Sequence, residues 1–145
     1  MTAPTGSSTG STINWRTVAI GAVVAAAIAV PASLLAPDKA DDTGDLGLAL
    51  LGILLIGLVL GGYVAARGQP DYPFVNAALA PFLTSVVLQL IGIIHHAGDP
   101  NHPINPFSII FLCLLAASCG LVGGAISYGQ RQRAAAKESG EPGDR

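Results

Sequence analysis

Four stretches of about twenty residues, 16–36, 46–66, 74–94 and 107–128, carry no Asp, Glu, Lys or Arg in their interiors. At 1.5 Å per residue, each makes a helix of roughly 30 Å, the thickness of a bilayer's hydrocarbon core. A backbone placed in that core must satisfy its own hydrogen bonds, and a helix does so within one segment. The stretches are too long for strands and show no apolar–polar alternation. The sequence therefore predicts an all-α polytopic membrane protein, a bundle of four transmembrane helices.

Charge content points the same way. Only 11% of the 145 residues are charged, against about a quarter in ordinary soluble domains. That is too little polar surface to coat a water-soluble globule of this size. The net charge of −2 offers no basic field for nucleic acid. The two cysteines, Cys113 and Cys119, would stand about 9 Å apart along helix four, beyond the ~7 Å reach of a disulfide.

Stretch 46–66 is dense in Leu, Ile and Val, and is the strongest span. Stretch 16–36 is richer in alanine. Its Arg16, apolar run and Val30-Pro31-Ala32 also fit a secretion signal with a small-residue cleavage site. The continuation through Leu34 and Leu35 favours an uncleaved helix, bent at Pro31. Residues 1–14 are mainly Thr, Ser, Gly and Pro, and 130–145 are charged and end in Gly and Pro. Both read as disordered cytoplasmic tails flanking a transmembrane domain over 15–129.

Topology follows from the flanking charges. Arg16, Arg67, Arg131, Arg133 and Lys137 share one side if the two tails lie together. The other side has Lys39 among Asp38, Asp41, Asp42 and Asp45. The positive-inside rule puts both termini in the cytoplasm, in the inner membrane of a bacterial cell. Trp15, Tyr63, Tyr72 and Tyr128 then fall at the cytoplasmic interface, where amphipathic rings settle.

Between such helices, close backbone approach must replace burial from water as the cause of association. Small residues recur at four-residue spacing on three helices: Gly21, Ala25, Ala29 and Ser33; Gly57, Gly61 and Ala65; Ala116, Gly120 and Gly124. Each set forms a groove along one helical face. The grooves serve either packing within the bundle or association with a second copy or another membrane protein. Gly57–Gly62 also echoes Gly120–Gly124, each followed by Tyr and Arg, a pattern open to a two-helix duplication.

On helix three, Ser85, Gln89 and Gly92 form a stripe that continues to His96. An unpaired amide in hydrocarbon costs several kcal/mol. Gln89 therefore either belongs to a polar path or small-molecule site opening outward, or bonds to another helix, with Ser118 and Ser33 as candidates. Beyond it, His95, His96, Asp99 and His102 are candidate ligands for zinc or copper in an exterior loop. Neighbouring helical residues diverge by about 100°, and Pro100, Pro103 and Pro106 equally fit a stiff helix stop.

Enzyme chemistry finds no support. Ser118 lies about 16 Å along its helix from the surface histidines' side, no span holds an acid, and no phosphate loop or cofactor site is present. Proton-coupled export would need an ionisable residue in the membrane.

The run Leu58–Arg67, the entry Asn14-Trp15-Arg16 and the four spans resemble small uncharacterised four-helix membrane proteins of actinobacteria. The resemblance implies a location, the cell membrane, and no activity. Three roles are open to such a chain. The leading expectation is an interaction or accessory component associating through small-residue helix faces. The others are a small transporter or pore subunit using the helix-three stripe, and an extracytoplasmic metal-responsive protein using the histidine loop.

Overall fold

The structure is a computed structural model and describes residues 13–34, 44–69, 72–95 and 105–138. Those residues form four helices: α1 (Trp15–Leu34), α2 (Gly44–Gly68), α3 (Pro73–His95) and α4 (Pro106–Glu138). Each is long and apolar enough to cross a membrane.

Local chemistry sets the helix starts. Asn14 caps α1, its Oδ1 accepting from Arg16 N at 3.2 Å and Thr17 N at 3.5 Å. Asn105 caps α4 in the same way, accepting from Phe107 N at 3.0 Å and Ser108 N at 3.4 Å. Pro73 and Pro106 occupy the first helical positions, where a missing N–H leaves nothing unsatisfied.

Helices α2 and α3 form a central pair, and α1 and α4 each pack against both. The chain runs up, down, up, down. Asn14, Gly68, Pro73 and Gln130 therefore gather at one end, the N/C end, and the last residue of α1 and the first of α4 lie toward the opposite end.

The interior is built of small residues. Ala25, Ala29, Ala65, Ala66, Ala77 and Ala80 are fully buried, while Leu48, Ile94 and Phe107 are 69, 74 and 76% exposed. A water-soluble bundle sorts its side chains the other way, since burying a leucine there stabilises by about 1.5–3 kcal/mol. In hydrocarbon that preference would vanish, and dense backbone contact would decide what goes inside.

The glycines show how close the backbones come. A methyl added at Gly61 would lie 2.7 Å from both Gly21 O and Ala25 Cβ, and one at Gly21 would lie 2.6 Å from Gly61 O. Gly57 faces Ile28, and a methyl added at Gly62 would lie 2.5 Å from Gly120 Cα, one at Gly124 2.7 Å from Ala77 Cβ. The small-residue faces of α1, α2 and α4 therefore meet α1, α2 and α3 of the same chain. Pro81 adds a further device. It denies Ala77 O its usual i+4 donor, and Gly120 packs directly on that carbonyl, where its Cα–H groups take the donor's place.

Three boundaries differ from the expectation. The tail expected from 130 is helical through Glu138, because Gln130 and Ala134–Lys137 are good helix formers and Arg131 anchors the extension to α2. Asn14, assigned to a disordered tail, is tied down as a cap. Helix α2 runs from Gly44 to Gly68 rather than 46–66, its last turn closed by Arg131. Pro31 lies inside α1, which continues to Leu34.

Candidate functional site

Toward the opposite end, where three small side chains face one another across the bundle, the helices leave a cavity of about 230 Å³. Those side chains are Ala29 of α1, Ser85 of α3 and Ala116 of α4. Leucines from α2, α3 and α4 complete the wall, and Gln89 and Ser85 are its polar members. Gln89 stands six residues before His95, about 9 Å from the end of α3.

The amide of Gln89 bridges α3 and α4. Its Nε2 lies 3.2 Å from Ile109 O, 3.2 Å from Cys113 Sγ and 3.3 Å from Ser85 Oγ. A backbone carbonyl can only accept, so Ile109 O fixes the nitrogen toward α4. No fully buried side-chain oxygen or nitrogen among the described residues lacks a partner. Gln89 is half-buried, and among the described residues no hydrogen bond ends on its Oε1. The partner on α4 is thus Ile109 and Cys113 rather than Ser118, which is exposed and donates to Leu114 O of its own helix at 2.8 Å. Gly92 follows on the stripe and borders open space. Cys113 and Cys119 are both free thiols.

The structure also contains polar side chains that the sequence reading passed over. Asn76 is completely buried. Its Oδ1 accepts from Asn14 N at 3.2 Å, and its Nδ2 donates to Gln69 Oε1 at 3.2 Å and Tyr72 O at 3.1 Å. One amide therefore ties the start of α1 to the α2–α3 turn. Thr84 donates from Oγ1 toward Ala22 O of α1 at 3.1 Å and Ala80 O at 3.0 Å. Asn76, an amide near the start of the apolar stretch 74–94, was the available signal. Both residues join helices.

At the N/C end a polar chain runs across α2 and α4. Arg67 Nη1 donates to Tyr63 Oη at 3.0 Å, and Tyr63 Oη donates to Gln130 Oε1 at 2.8 Å. Arg131 Nη2 donates to Ala66 O at 3.4 Å and to Arg67 O. It thereby satisfies carbonyls that the end of α2 leaves open and sets a cation against the negative pole of the helix.

The histidine loop contributes little to this picture. His96, Asp99 and His102 lie outside the described residues, and His95 is placed as the last residue of α3. No group of three metal-ligating residues occurs among the described residues. Compared with protein-family models, curated proteins and solved structures, the chain matches none.

Proposed function

We propose that the chain is a four-span protein of a bacterial cell membrane, with both termini cytoplasmic, and that the cavity beside Gln89 holds a small, mainly apolar ligand bearing one hydrogen-bonding group. The role is that of the binding element of a small transporter or carrier subunit. The inverted interior, alanine inside and leucine outside, supports the membrane setting. Arg16, Arg67, Arg131 and Arg133 at the N/C end support the orientation.

One observation carries the ligand reading: a cavity of about 230 Å³ whose wall is leucine and alanine except for Ser85 and Gln89. The space opens to the surface of the bundle beside the exposed Leu51 and Leu112, so a ligand can enter it from outside. Small-molecule sites share this make-up, an apolar wall with few placed polar groups. Association through small-residue faces ranks below this reading because Gly21, Gly57, Gly61, Gly120 and Gly124 pack against the chain's own helices.

The test compares straight-chain alcohols with alkanes of equal length, binding to the full chain in lipid nanodiscs. One hydrogen bond of about 1 kcal/mol gives the alcohol roughly fivefold tighter binding. Gln89→Leu removes the difference, and Ala116→Phe, which fills the cavity, removes binding of both. Equal affinities for alcohol and alkane in the unmodified chain sink the proposal.

A further inference from the structure

The N/C end holds a second hollow, of about 220 Å³, between the last turn of α2 and the extension of α4. Its walls include Tyr63, Arg67, Ser127, Gln130 and Arg131. Two guanidinium groups thus border one small space. Their described hydrogen-bond partners are neutral, a phenol oxygen for Arg67 and backbone carbonyls for Arg131. Each guanidinium has five N–H donors, and those bonds engage one nitrogen of each group. The remaining donors and the unbalanced charge are the chemistry that binds phosphate, which guanidinium forks take with two parallel hydrogen bonds.

Geometry holds both arginines in place. The Tyr63 hydroxyl links Arg67 to Gln130, and the Arg67 guanidinium lies 6.0 Å from the Tyr63 ring centroid. Arg131 is pinned by the α2 carbonyls. Ser127, 2% exposed, adds a hydroxyl-bearing residue to the wall. Had α4 ended at 128, neither Gln130 nor Arg131 would face α2, so the helical extension creates the hollow. Arg133 provides a contrast. It is close along the same helix and carries the same charge, yet it borders a different, largely apolar surface with Val122, Ala125 and Ile126.

We infer that the hollow between Arg67 and Arg131 binds the phosphate of an anionic lipid headgroup at the cytoplasmic membrane surface. The inference shares the membrane span and the cytoplasmic placement of the N/C end with the preceding reading, and is independent of the Gln89 cavity. A phosphate needs the room of a few waters at about 30 Å³ each, which the hollow provides.

The experiment uses the full chain in nanodiscs of phosphatidylcholine doped with phosphatidylglycerol. The protein is extracted in mild detergent, and the anionic lipid retained is counted by native mass spectrometry. Flotation of the chain with the lipid reads the membrane premise separately. Arg67→Gln is expected to lower affinity for the retained lipid roughly tenfold, about 1.4 kcal/mol, while Arg133→Gln changes it less than about twofold. Tyr63→Phe frees Arg67 without altering charge, and is expected to fall between the two. Equal losses from Arg67→Gln and Arg133→Gln overturn the site in favour of diffuse surface charge, and no loss from Arg67→Gln overturns it outright. Excess inorganic phosphate in a parallel sample distinguishes the source. Undisturbed retention supports the lipid, and displacement overturns the lipid in favour of a soluble phosphate.

Discussion

Adding a single methyl group at Gly61 and at Gly52, two glycines of α2, tests whether the backbone contacts hold the bundle together. At Gly61 the new carbon would stand 2.7 Å from Gly21 O and 2.7 Å from Ala25 Cβ, where ordinary contact begins near 3.4 Å. Helix α1 must therefore retreat by about 0.7 Å. A gap of that size forfeits a quarter to a half of the dispersion well for each atom pair it opens, at about 0.1–0.2 kcal/mol per pair. For on the order of 20 to 30 pairs along the contact, the loss is roughly 1–2 kcal/mol. The reciprocal Cα–H···O contacts between Gly21 and Gly61 add about 0.5–1 kcal/mol. Gly61→Ala should thus destabilise by about 2 kcal/mol, within the 1–3 kcal/mol typical of overpacking. At Gly52, in the interior of α2, nothing lies within 4 Å of the added carbon, and Gly52→Ala should stabilise by about 0.5–1 kcal/mol through helix propensity. The assay is reversible unfolding of the purified chain in mixed micelles, followed by far-UV circular dichroism and by the fluorescence of Trp15. Equal stability of the two variants would refute the claim that close backbone approach holds α1 to α2.

The other predictions concern the polar ties and the topology. Asn76→Ala leaves Asn14 N and Gln69 Oε1 without their buried partner, and should destabilise by about 2–3 kcal/mol. Hydrogen exchange should show the loosening first at residues 13–20. Thr84→Val removes one interhelical bond to Ala22 O and should cost about 0.6–1.7 kcal/mol in the same unfolding assay, with the helical content unchanged. Single cysteines placed at 7 and 142, in a background lacking Cys113 and Cys119, should both be shielded from an impermeant thiol reagent in intact cells. Both should react once the membrane is opened; labelling of one alone in intact cells would contradict four spans.

Much of the architecture was readable before any coordinates. Run length and the absence of charge determine four helices, and the tally of arginines at alternate breaks determines which ends belong together. The caps were only partly legible. Asn14 stands just before the helix, a cap residue by type, yet Thr and Ser at 5–12 make the whole segment look like a tail. The end of α4 misled for the opposite reason: charge marks the membrane boundary, whereas a helix ends where its backbone finds other partners, and Arg131 supplied those partners beyond the apolar stretch.

Sequence by itself determined how long and apolar each segment is and the face on which small residues line up, because both are properties of a single helix. Which faces meet was decided only by the tertiary structure. Gly61 can accept any close neighbour; that it received Gly21, while Gly120 settled on the carbonyl freed by Pro81, depends on four helices competing for one another's surfaces. The same holds for both hollows. Gln89 and Ser85 are one turn apart in the chain, but the cavity beside them exists because Ala29 and Ala116 arrive from two other helices and leave space unfilled.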